Sequence, residues 1–312
     1  VNRALSGQPD VSRTAPDAPR PGPLFDDDFL RKLDLLEIIF RRNIVGRREG
    51  DRAGQQRGGR TEFADYREYS PGDDPRYVDW NIYGRTGHLF IKEFTREESA
   101  RVCVLVDASA SMGFGAPPKL RQALRLAAAF AHLAVVAGHE AEIAVASGGT
   151  AQWSPRFAGR PDIQGITAFL EPVRAAGQTD LQAALAGFHE RMRQRALLVL
   201  VSDLLDESDS RRALRLLGSR RHDLVLVHVL SPQELSPPAA GTVRLVDCET
   251  ALAQDLEVDA SALGRYALAL NAFVEDWRAF CQRHDVRYVH TSSAASFEEC
   301  MLDTLRHGGL VR

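Results

Sequence analysis

Apolar residues come in continuous runs along the C-terminal two-thirds of this chain. Val102–Val106 and Leu197–Val201 are unbroken, and Leu224–Val229 is interrupted only by His228. Runs of this length mark strands buried on both faces, the signature of a parallel sheet. Between them the apolar spacing turns helical, with Leu120, Leu124, Ala127, Ala131 and Ala134 on one face of a helix over 118–137 that Gly138 ends. The same reading predicts strands at 141–146, 152–154 and 286–290. It predicts further helices at 162–174, 180–193, 208–220, 261–284 and 297–306. Alternation of this kind predicts an α/β fold, a doubly wound, mostly parallel sheet with helices on both faces. Residues 231–260 read as a loop marked by Pro232, Pro237, Pro238 and Gly241, with 243–246 as an added edge strand.

Upstream the pattern changes. Phe29, Leu33, Leu36 and Phe40 recur at helical spacing, Asp26, Asp27 and Asp28 suit the positive end of that helix, and Arg41 and Arg42 suit its negative end. Gly46 is expected to stop it. Residues 62–94 alternate aromatic and charged side chains around Ser70-Pro71-Gly72-Asp73, which predicts short antiparallel strands. Tyr69, Trp80 and Phe94 are expected to pack on the main domain. Arg67, Glu68, Asp73, Arg76, Asp79 and Arg85 suit an ion-pair network, and the rival reading makes Arg67, Asp73, Arg76, Asp79 and Arg85 a partner surface. The expected organisation is a disordered leader over 1–25, a helix plus β-rich segment over 26–98, and the α/β domain over 99–312.

Composition narrows the partners. The 312 residues carry a formal charge of −3, which gives no global drive toward nucleic acid or anionic membrane. Residues 47–60 are rich in Arg and Gly but lack interleaved aromatics, so nucleic-acid binding there is the weaker alternative to a solvated loop. Lysine occurs only at 32, 92 and 119, and this scarcity reads as coding bias. Cys103, Cys248, Cys281 and Cys300 form no Cys-x-x-Cys and read as reduced thiols. The first residues lack the apolar core of a signal peptide, and no run reaches the length of a membrane helix. A cytoplasmic location is the expectation.

Chemistry gathers where the first strand ends, in Asp107-Ala108-Ser109-Ala110-Ser111. Asp203 follows another buried strand, and Thr179 lies just before a predicted helix. In a parallel sheet these donors meet at the carboxyl ends of the strands. Carboxylates and hydroxyls without imidazole or thiolate favour Mg²⁺, with Mn²⁺ or Ca²⁺ as alternatives. The bland reading makes Ser109 and Ser111 helix-capping groups and leaves Asp107 and Asp203 in a solvated crevice.

Asp107, Ser109, Ser111, Thr179 and Asp203 together resemble the metal-ion-dependent adhesion site of von Willebrand factor A domains, Asp-x-Ser-x-Ser with a distant Thr and a distant Asp. That resemblance implies a Rossmann-type sheet, a divalent cation and a partner's acidic residue completing its shell. Glu62–Trp80, Gly84-Arg85 and Ile91-Lys92-Glu93-Phe94 resemble the signature of the domain of unknown function 58 family, which joins such a segment to an A-like domain. Residues 81–84, Asn-Ile-Tyr-Gly, depart from the small Ser/Thr-Ala pair expected before Arg85. Many relatives carry two membrane helices before the signature; this sequence has none there. The resemblance implies work with a MoxR-type AAA+ ATPase, as a non-enzymatic adaptor in chaperone-like maturation or remodelling of client proteins. A Mg²⁺-dependent phosphohydrolase is the alternative. It lacks a second Asp at position 109, and the chain has no nucleophile elbow, phosphate loop or His-Glu-x-x-His.

Overall fold

A computed structural model describes residues 23–48, 61–96, 100–178, 180–206, 208–220, 222–237, 241–248 and 253–308. In chain order the elements are α1 (Asp27–Arg48), β1 (Thr61–Glu68), α2 (Trp80–Thr86), β2 (Phe90–Arg96), β3 (Arg101–Asp107), α3 (Lys119–Val136), β4 (Glu140–Ser147) and β5 (Thr150–Trp153). They continue with α4 (Ile163–Leu170), α5 (Leu181–Arg191), β6 (Ala196–Ser202), α6 (Ser210–Ser219), β7 (Asp223–Leu230) and α7 (Pro232–Leu235). The last are β8 (Gly241–Val246), β9 (Ala253–Val258), α8 (Ala260–Arg283), β10 (Val286–Ser292) and α9 (Phe297–Gly308).

Six strands form the central sheet in the order β10-β7-β6-β3-β4-β5. Every pairing is parallel except that of the edge strand β5 with β4. This is the doubly wound α/β architecture expected from the apolar runs. The chain winds outward from β3 through β4 to β5, then returns to the other side of β3 to begin β6. That reversal opens a crevice between the carboxyl ends of β3 and β6, the place where open α/β sheets bind ligands.

Both faces are covered, which explains why β3 and β6 are apolar at successive positions. Phe29 and Leu33 of α1, α3, Ile166 and Leu170 of α4, and Phe297 and Met301 of α9 pack on one face. Leu181, Leu185 and Phe188 of α5, Leu214 and Leu217 of α6, and Trp277 and Phe280 of α8 pack on the other. Each fully buried Leu or Phe contributes about 1.5–3 kcal/mol relative to exposure. Charge fixes the seating of α1: Asp26 receives Phe29 N–H at 2.8 Å and Arg125 of α3 at 2.7 Å.

Several expectations need correction. Gly46 does not stop α1, which runs to Arg48. A glycine inside a helix costs only about 1 kcal/mol, and Arg41, Arg42, Arg47 and Arg48 are good helix formers. The helix expected over 162–174 ends at Leu170, two residues before Pro172, whose ring disfavours helical geometry in the residue ahead of it. Residues 243–246 do not extend the central sheet: β8 pairs with β9 as a separate antiparallel hairpin. Around 62–94 the antiparallel pair is present, β1 with β2, but the turn at 70–73 leads into a 3-10 turn at Pro75–Tyr77 and then α2. Trp80 does not pack on the main domain; it is 63% exposed at the first turn of α2, edge-on to Tyr83. The charged residues of this segment make short-range pairs, Arg67 with Asp73 at 2.8 Å and Arg76 with Asp74 at 2.6 Å. Asp79 is buried, caps α2 through Asn81 N–H and accepts from the Tyr66 hydroxyl at 3.0 Å. The leader over 1–22 and most of the basic stretch, 49–60, lie outside the described residues. No described helix is long and apolar enough to cross a membrane.

Candidate metal centre

The crevice is framed by backbone. Ala176 N–H donates to Ala108 O at 2.9 Å and Ala110 N–H to Gly177 O at 2.9 Å, so the loop before α5 lies along the loop after β3. Gly177 is required at this approach. Its φ is +75°, and a Cβ would sit 3.1 Å from the Gly148 nitrogen. Thr179, two residues further on, lies outside the described residues; Asp180 caps α5 by accepting from Ala183 N–H at 2.8 Å.

Four of the five expected donors converge. Asp107, at the end of β3, is 1% exposed; Oδ1 accepts from Ser109 N–H at 2.9 Å and Oδ2 from the Ser202 hydroxyl at 2.6 Å. Ser109 and Ser111 hydroxyl oxygens lie 3.0 Å apart. Ser111 donates to Asp203 Oδ2 at 2.7 Å, although the two are far apart in sequence. Asp203 Oδ1 accepts from Leu205 N–H at 3.0 Å, which orients the carboxylate. Ser109 makes no side-chain capping bond to the 3-10 turn that follows it, so its hydroxyl faces Ser111 instead.

Burial, and after it the neighbouring Asp203, pushes the Asp107 carboxyl up to about 6, against the lowering effect of Ser202 and Ser109. A buried carboxylate in this condition gains from a nearby cation. The two serine hydroxyls are hydrogen-bonded at 3.0 Å, a spacing also compatible with neighbouring ligands of an octahedral ion with bonds of about 2.1 Å. Among the described residues no group of three or more His, Cys, Asp or Glu side chains is arranged to hold a metal, so an ion at this place depends on hydroxyl donors.

Lys119 is the feature the sequence reading missed. It opens α3, is 0% exposed, and its ammonium donates to Asp203 Oδ2 at 2.7 Å and to Glu234 Oε1. Burial lowers the pKa of this ammonium, but Asp203 and Glu234 outweigh that and hold it above the usual lysine value. Glu234 is fixed from its other oxygen: Oε2 accepts from Ser231 N–H at 2.6 Å, while Ser231 Oγ caps Glu234 N–H at 3.2 Å. A signal was present in the composition, since a lone lysine at a helix start stands out in an Arg-rich chain. Glu234 gave none, because it lies in a Pro-marked loop. Behind the site, His228 pairs in register with Ser202, and its Nδ1 lies 2.7 Å from the Tyr288 hydroxyl. Burial, then His290, drives the His228 imidazole down to about 3.

The family described as "Protein of unknown function DUF58" matches residues 65–273. An uncharacterised protein of Mycobacterium tuberculosis is 28% identical over 260 residues, 82% of each chain. Another uncharacterised protein, from Mycobacterium avium, is 30% identical over 127 residues, covering 39% of this chain and 73% of its own. Among solved structures, the conserved hypothetical protein BatB of Bacteroides thetaiotaomicron is similar at 14% identity and a TM-score of 0.43, over 68% of this chain and all of BatB. The von Willebrand A domain of SpRpn10 is similar at 10% identity and a TM-score of 0.40, over 66% of this chain and 95% of its own. The fold itself stands on the sheet order and pairing.

Proposed function

Because the chain belongs to the DUF58 family, whose match covers the signature segment and most of the central sheet, we propose that it is a metal-dependent protein-interaction module and not an enzyme. The observation that carries this reading is the convergence of Asp107, Ser109, Ser111 and Asp203 at the reversal of strand order. A bound Mg²⁺ would supply a Lewis-acidic position that an outside carboxylate can complete. Ser109 and Ser111 present the hydroxyls for that ion, with Thr179 as the further donor implied by the adhesion-site resemblance. Asp107 and Asp203 balance its charge, held in place by Ser202 and by the Leu205 amide.

The partner in this reading is a protein that presents an exposed Asp or Glu. The family resemblance supports, as this partner, a MoxR-type AAA+ ATPase or its client, with this chain supplying recognition in the cytoplasm and the ATPase supplying energy in this reading. Calorimetric titration with MgCl₂ is expected to show binding that disappears in Asp107→Ala and Ser109→Ala. Capture of a purified MoxR-type ATPase should fall in parallel. Capture at the wild-type level by both variants rejects the metal-mediated contact. Mg²⁺-dependent phosphate release that requires Asp107 would instead favour the hydrolase.

A further inference from the structure

Three features hold Lys119 where a lysine is costly. Its side chain is fully buried, so the ammonium has lost its water. It occupies the first residue of α3, where the helix dipole repels positive charge. It is also locked between two acids from different parts of the chain, Asp203 after β6 and Glu234 of α7. The second acid cannot easily withdraw: Ser231 and Glu234 satisfy each other in a capping box. Gly115 also crowds Ser231 so closely that a Cβ there would meet the Ser231 Cβ at 2.4 Å.

Asp203 Oδ2 is the shared point. The Ser111 hydroxyl and the Lys119 ammonium both reach this one oxygen at 2.7 Å. A divalent ion held between Ser111 and Asp203 must therefore contend with a positive charge already seated on the same carboxylate.

We propose that Lys119 is a resident counter-cation that competes with the divalent ion for Asp203 and thereby sets the affinity of the site. With no divalent ion present it neutralises the buried acids and keeps the crevice folded. With an ion bound, Glu234 would retain the ammonium. The site thus binds its ion weakly and reversibly, in contrast to a cage with no competing ammonium on its carboxylates. This rests on the metal reading above.

The test is calorimetric titration of the full chain with MgCl₂, comparing wild type, Lys119→Met, Lys119→Gln and Asp107→Ala, with thermal melts in EDTA and in excess Mg²⁺. Removing the ammonium is expected to tighten Mg²⁺ binding about tenfold or more. It should also lower the melting temperature in EDTA, and Mg²⁺ should restore more of that loss than it adds to wild type. Equal or weaker Mg²⁺ binding in folded Lys119→Met and Lys119→Gln overturns the proposal, while loss of binding in Asp107→Ala keeps the metal reading intact. Absence of Mg²⁺ binding in wild type and both lysine variants overturns the metal reading, and the proposal with it. Should neither lysine variant fold, Glu234→Gln serves. The ammonium then rests on Asp203 alone, Mg²⁺ binding is expected to weaken several-fold, and unchanged binding overturns the proposal.

Discussion

The two ends of strands β6 and β7 treat charge in opposite ways. At the carboxyl end Lys119 meets Asp203 with both side chains 0% exposed, and Glu234 completes the group. At the amino end Arg195, just before β6, meets Asp223, the first residue of β7, at 3.1 Å with the two side chains 71% and 42% exposed. Nearby, His189, Glu190, Arg193, Arg220 and His222 line a shallow cleft that opens to solvent. Water already solvates the amino-end ions, so their pairing adds little. At the carboxyl end water has been removed, and each ion depends on its partners. The ion pair of Lys119 with Asp203, in which both side chains are fully buried, lies where the strand order reverses, at one end of the sheet.

The sharpest break of this contrast is Lys119→Ala. It leaves Asp203 and Glu234 buried without compensation and is expected to cost about 3–5 kcal/mol by urea denaturation in EDTA. A cost below about 1 kcal/mol would make the two ends alike. Next comes His228, held neutral down to about 3 by burial beneath the site. The unfolded chain takes up this proton near 6.5, so the stability from a neutral His228 is complete above about pH 6.5. It is lost as the pH falls toward 3, up to roughly 5 kcal/mol over that window. Replacing His228 with Gln should flatten the stability profile there. His222, at the amino end, is also lowered, by burial first and then by His189; His222→Gln should flatten the profile less. Arg195→Gln is expected to change stability by less than about 1 kcal/mol, a difference that vanishes in 1 M salt. Smallest of all, Trp80→Ala, away from both ends, should stay within about 0.5 kcal/mol because the ring is exposed.

What could be read in the sequence followed distance along the chain. The strands of the central sheet were legible because burial on both faces imposes continuous apolar runs, as in Val102–Val106 and Leu197–Val201. Helix α3 was legible from the helical spacing of Leu120, Leu124, Ala127, Ala131 and Ala134, although nearly every position of it is buried. Asp107, Ser109 and Ser111 lie on one turn and were readable as a unit; joining them to Asp203 needed the rule that strand ends gather. Glu234 and Ser202 were not legible, and Lys119 stood out only by its rarity, because a buried lysine looks like any surface helix residue until its two acids arrive from elsewhere. Of the hairpin β8–β9 the apolar Val243, Leu245 and Val246 marked one strand, but the mixed sequence of β9, Ala-Gln-Asp-Leu-Glu-Val, gave no sign of its partner. Trp80 misled for the opposite reason: an aromatic residue among alternating charged positions suggests packing, yet the burial falls on its neighbours Val78 and Asp79.

The two halves of the crevice are stitched by main-chain bonds, Ala176 N–H to Ala108 O and Ala110 N–H to Gly177 O. Peptide groups are indifferent to the side chains they carry. The loops that carry Ser109 and Ser111 are thus tethered by contacts that do not depend on the two hydroxyls, so trimming either side chain to alanine would leave the stitching itself in place.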